Sequence, residues 1–88
     1  MLVELKINLF NGDHVTTFKE EEYELPTYPR KSFSKEIAIS HFSEVISKYE
    51  KKIFPEKLSY ELIEKEKKIN LSYFTKNNDM EYYMIISY

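Results

Sequence analysis

Met80-Glu81-Tyr82-Tyr83-Met84-Ile85-Ile86-Ser87-Tyr88 is apolar on both faces of any strand it can form. Side chains alternate across a strand, so Tyr82, Met84, Ile86 and Tyr88 point one way and Tyr83 and Ile85 the other. A strand covered on one side only should read apolar-polar-apolar-polar. This segment does not. It is therefore expected at the centre of a sheet, with a second cover over Tyr83 and Ile85. That cover is expected to come from a partner, a second copy of the chain, or the chain's own connector Pro26-Thr27-Tyr28-Pro29-Arg30-Lys31.

Working outward, two further strands precede this one. Leu58, Tyr60 and Leu62 alternate with Ser59 and Glu61, and Ile69, Leu71 and Tyr73 alternate with Asn70 and Ser72. The spacing predicts strands over 57–64, 69–75 and 80–88, joined by the polar turns Lys65-Glu66-Lys67-Lys68 and Lys76-Asn77-Asn78-Asp79. At the other end, Val3, Leu5, Ile7 and Leu9 alternate with Glu4, Lys6 and Asn8. Asn11-Gly12 follows, a strong signal for a two-residue hairpin turn. With that pair as the loop, Leu5 faces Phe18, Ile7 faces Thr16 and Glu4 faces Lys19. The second strand then runs from about Asp13 to Glu22, extending as far as Leu25.

Between the two groups of strands lies one helix. Ser32 or Ser34 can cap it and Glu36 falls in its first turn, where the positive end of the helix dipole favours an acid. Ala38, Phe42, Val45, Ile46, Tyr49 and Ile53 form one apolar stripe, which predicts a helix over 35–53, ending before Pro55. The pattern is β-β-α-β-β-β. Every connection reverses the chain, so the first strand can lie antiparallel to the fifth or to the third. The fifth strand's two-sided apolarity gives the order 2-1-5-4-3. The expected fold class is α+β: a two-layer sandwich of one α-helix on a five-stranded antiparallel sheet, as a single domain over 1–88. One helix covers only about 10 Å of sheet width, so the far face is left open, with Tyr83, Ile85, Phe74, Phe10 and Ile63 on it.

Composition narrows the function by exclusion. The 88 residues are 42% hydrophobic and 32% charged, which is globular rather than disordered. There is no Cys, which removes disulfides, thiolate nucleophiles and Cys-ligated zinc. No apolar run approaches ~18 residues, so no membrane span is expected. The alternating start Met1-Leu2-Val3-Glu4-Leu5-Lys6 is wrong for a secretory signal, and a cytoplasmic location is expected. The net charge of −2 is too small to drive binding to a phosphate backbone by charge alone. Abundant Lys, Ile, Tyr and Glu with one Gly fit AT-rich codons, and so a low-GC bacterium or one of its viruses.

No catalytic, cofactor or metal constellation stands out. His14 and His41 are the only histidines, too few for a protein-ligated metal centre without further donors at suitable spacing. Ser40, Ser43 and Ser47 flank His41, but a serine nucleophile needs an oxyanion hole, and the single Gly is used in a turn. What remains are surfaces. Glu20, Glu21, Glu22 and Glu24 cluster at the end of the second strand. Charge there can simply guard a sheet edge, or it can meet a basic partner. The 14 aromatics, eight of them Tyr, exceed what one core needs, and Tyr favours protein contacts.

The expected function is therefore a small non-enzymatic protein-binding domain, in the manner of an inhibitor or antagonist from a phage or mobile element. It would occupy a surface of a larger host protein, such as one that binds nucleic acid. The expected partner-binding residues are Tyr83, Ile85, Phe74, Glu20, Glu21, Glu22 and Glu24. A homodimer through the same face is the competing expectation for the cover. The alternatives in other classes are a nucleic-acid-binding or regulatory module and a self-assembling structural subunit. Direct nucleic-acid binding ranks lower, for want of a basic-aromatic string.

Overall fold

The computed structural model describes residues 1–26, 33–75 and 79–88. The strands are β1 (Leu2–Asn11), β2 (His14–Glu24), β3 (Leu58–Ile63), β4 (Lys68–Phe74) and β5 (Met80–Ser87), and the helix is α1 (Lys35–Ser47). All strand pairs are antiparallel and the order is β2-β1-β5-β4-β3, with β5 in the middle. The two-sided apolar reading of the C-terminal segment thus located the centre of the sheet. All of the 26–31 connector after Pro26, the Ser32 cap and most of the 76–79 turn lie outside the described residues.

The core is three rows of side chains that cross the central strands. Val3, Ile86 and Ile69 form one row, Leu5, Met84 and Leu71 the next, and Ile7, Tyr82 and Tyr73 the third. All nine are buried, and Ala38, Phe42, Val45 and Ile46 of α1 close over them. The rows continue outward into more exposed positions: Tyr60 and Leu62 on β3, and Lys19 and Glu21 on β2. One helix is wide enough for the middle of a five-stranded sheet and not for its edges.

Helix α1 starts where its sequence dictates. The Ser34 Oγ accepts a hydrogen bond from the Ile37 N–H at 3.3 Å, and Glu36 stands in the first turn. The helix ends at Ser47, six residues earlier than the apolar stripe implies. The Ser47 hydroxyl bonds back to the Glu44 carbonyl at 2.6 Å, an alternative to continuing the helix. Beyond it the chain peels away to fill the end of the core. Tyr49 meets Phe18 edge-on and leans on Tyr82, and the Phe54 N–H donates to the Tyr73 hydroxyl at 3.0 Å. Ile53 still packs on the core, but from irregular chain. Tertiary contacts account for the same apolar spacing without a helix.

The first hairpin differs from the sequence reading in register. Asn11 pairs with His14, so Gly12 and Asp13 are the two loop residues. Gly12 has φ +63° and Asp13 has no positive φ, which is the pattern of a II′ turn with Gly first. A register shift follows between Ile7 and Asn8, opposite Phe18. The displaced turn and this bulge together place Leu5 opposite Glu21, Ile7 opposite Lys19 and Glu4 opposite Glu22, in place of Phe18, Thr16 and Lys19. Phe18 is released to pack on Tyr49.

A Cβ at Gly12 would meet nothing within 4 Å, so any substitution there is opposed by backbone strain alone. Gly12→Val should therefore lower stability by about 1–2 kcal/mol, and Gly12→Asn by less, because Asn tolerates positive φ. Urea denaturation of the three proteins checks the order.

Candidate functional site

The face of the sheet away from α1 brings most of the sequence-derived candidates together. Register fixes its composition, because paired residues share a side. One row across the five strands is Glu22, Glu4, Ile85, Asn70 and Glu61. The next is Glu20, Lys6, Tyr83, Ser72 and Ser59, with the Ser59 and Ser72 hydroxyls 2.7 Å apart. Glu24 lies beyond the first row, and Glu81 and Phe74 beyond the second. Phe74 is 40% exposed and stacks on Phe10 at 6.3 Å between ring centroids. Tyr83, Ile85, Phe74, Glu20, Glu22 and Glu24 are thus on one surface.

Glu21 is not among them. It points to the helix side, where its carboxylate lies 3.5 Å from the Lys19 ammonium. Strand alternation makes this unavoidable: four acids in five positions cannot share a face.

Tyr83 and Ile85 are half-buried, in a strip one strand wide between Lys6 and Glu4 on one side and Ser72 and Asn70 on the other. The expected continuous apolar patch is thus a narrow apolar strip with a charged rim. The rim is acidic. Within the described strands, Glu4, Glu20, Glu22, Glu24, Glu61 and Glu81 share this face with two lysines, Lys6 and Lys68. Lys68 is held 2.9 Å from Glu66, a partner outside the strands, and this contact raises its pKa above the ordinary lysine value. Glu4 and Glu22 stand directly opposite each other, an arrangement that destabilises a sheet. Among the described residues, none of Glu4, Glu20, Glu22 and Glu24 has a cation within 4.0 Å. Glu4, Glu61 and Glu81 were absent from the sequence-derived candidates. Their strand parity was the signal, but it acquires meaning only when the strand order is known.

The helix side of β2 holds a second polar contact. The Tyr23 hydroxyl lies 2.5 Å from His41 Nε2, with the two rings edge to face. On the other side of the ring, Nδ1 is 3.9 Å from the Glu44 carboxylate. Burial pushes the His41 pKa below its ordinary value, with Lys48 adding to the effect and Glu44 opposing it. Burial likewise raises the Tyr23 hydroxyl. A neutral ring can then accept from Tyr23 at Nε2 and turn its N–H toward Glu44. The pair ties the edge strand to the helix. Residues 18 apart in sequence give no local pattern that announces it.

A depressed folded-state pKa gives His41 a definite sign in the pH dependence of folding. The unfolded state binds the proton more readily, so His41's contribution is complete above the ordinary value of 6.5 and is lost as pH falls through the lower folded value. The melting temperature should therefore drop more steeply between neutral pH and pH 5 in the wild type than in His41→Gln. Parallel thermal scans of the two proteins measure it.

His14 is exposed at the first hairpin, opposite Asn11, whereas His41 lies on α1. Ser40 and Ser47 are exposed, and Ser43 is half-buried. Among the described residues no three His, Asp or Glu side chains are placed to share a metal ion, and no helix is long and apolar enough to cross a membrane. No family model, curated protein or solved structure matches the chain.

Proposed function

We propose that this domain is a non-enzymatic binding protein that uses the open face of its sheet to occupy a basic surface on a larger protein, as small inhibitors do. The observation that carries the reading is the placement of Tyr83 and Ile85 inside a rim of glutamates that, among the described residues, have no cation within 4.0 Å. Tyr and Ile offer contact area that desolvates well, and the surrounding charge steers a complementary partner. The same rim opposes the two other uses of the face. Two copies meeting face to face would set glutamates against glutamates. A nucleic acid would bring phosphates to an acidic surface. An inhibitor or antagonist of a nucleic-acid-binding host protein is the role that matches this charge, since such proteins expose basic grooves.

Glu22→Lys tests the reading because its two effects have opposite sign. In the free domain it replaces a like-charge pair with an attractive one and should raise stability by about 0.2–1 kcal/mol. In the complex it should slow association and weaken the salt dependence of the rate. The experiment captures the partner on immobilised wild type, then compares association rates of wild type and variant by surface plasmon resonance. Equal rates at low salt would remove the acidic rim from the interface.

A further inference from the structure

We infer that β2 accepts an extended basic segment of the partner as a sixth strand. This rests on the protein-binding reading above and adds the form the partner takes. The sheet ends in two edges that are built differently. β3 is six residues long and is closed at both ends by 3-10 turns, Pro55–Lys57 and Glu64–Glu66. β2 is 11 residues long and contains no Pro. Its inner side pairs with β1, and among the described residues its outer side pairs with nothing. Such an edge presents a row of backbone donors and acceptors to another extended chain.

The side chains of β2 specify the chemistry of that chain. Past the bulge at Phe18, the stretch from Lys19 to Glu24 is regular. Glu20, Glu22 and Glu24 recur there at the strand period of two, all on the open face, spaced by roughly 6.6–7 Å. An added strand running about 4.8 Å away repeats this period, so Lys or Arg at alternate positions would each stand beside one glutamate. On its inner side Glu22 meets Glu4, and among the described residues neither has a cation within 4.0 Å, so a cation on the outer side relieves that repulsion. A second copy of β2 cannot do this, because it brings more glutamates to the same edge.

The test uses a peptide alternating Lys and Val over eight residues, titrated into the isotope-labelled protein and followed by NMR. Amide signals from Lys19 to Glu24 should shift, and their hydrogen exchange should slow. Two further peptides carry N-methyl groups on alternate residues, one on the Lys set and one on the Val set. In a strand, alternate amides point to opposite edges. One methylated peptide should bind at least about tenfold more weakly than the other. Equal binding of both would overturn strand addition while leaving a basic, side-chain-driven contact intact. Shifts confined to Tyr83 and Ile85 would overturn it too, and keep the face as the docking surface. Absence of any shift, or concentration-dependent β2 shifts without peptide, would overturn it in favour of no peptide site or of self-pairing.

Discussion

Phe42→Ala should remove about 3–5 kcal/mol of stability, most of what a domain of this size possesses. The chain has 88 residues, which implies a total of roughly 4–13 kcal/mol. Phe42 is completely buried, and it sits in the one α-helix among the described residues, which covers the sheet. A larger protein could lose one such ring and repack around it. Here α1 supplies the four buried side chains that close over the three core rows on β1, β5 and β4, so a cavity beneath it exposes them jointly. The variant should be mostly unfolded near 37 °C and show a collapsed circular dichroism melt. Phe42→Leu, which keeps most of the volume, should recover at least half of the loss. A Phe42→Ala protein with a near-native melt would mean that α1 is not the principal cover of the sheet.

The sequence carried the parts of this fold that depend on period and polarity. Alternation located all five strands, the apolar stripe located α1, and the unpatterned C-terminal segment fixed the strand order through one physical requirement, burial on two sides. Details that depend on competition between neighbours were not legible. Asn11-Gly12 and Gly12-Asp13 are both sound hairpin turns, and only the sheet as a whole chooses between them. The bulge at Phe18 is one residue of slack that lets Lys19, Glu21 and Tyr23 take the helix side while Phe18 reaches Tyr49. No local signal marks it. The early end of α1 is similar, since Tyr49 and Ile53 are needed at the end of the core whether or not they are helical. For the candidate site, residue types were legible and their assembly was not. Glu20, Glu22 and Glu24 join Tyr83 and Ile85 only because β1 lies between β2 and β5, and Glu21 departs for the same reason.

Met84→Thr and Ile85→Thr, one residue apart on β5, should separate folding from binding. Met84 is fully buried between Leu5 and Leu71 beneath the helix, whereas Ile85 is half-buried on the open face between Glu4 and Asn70. Met84→Thr leaves a void and buries a hydroxyl among apolar neighbours, and should cost about 2–4 kcal/mol. Ile85→Thr keeps a β-branched side chain in the strand and loses only part of a solvent-facing contact, so it should cost under about 1 kcal/mol. In binding the order reverses. Ile85 lies with Tyr83 at the centre of the acidic rim, where the few residues that dominate an interface are usually found. The double variant Tyr83→Ser with Ile85→Thr should lose at least about 2 kcal/mol of affinity, roughly 30-fold, while its melting temperature stays near that of Ile85→Thr alone. Met84→Thr, assayed cold enough to remain folded, should bind as the wild type does. Light scattering should find wild type and double variant equally monomeric, since the glutamate rim opposes self-association through this face. A double variant that binds its partner unchanged would reduce Tyr83 and Ile85 to the outer half of the core. A wild-type dimer that the double variant breaks would give the face to a second copy of the chain instead.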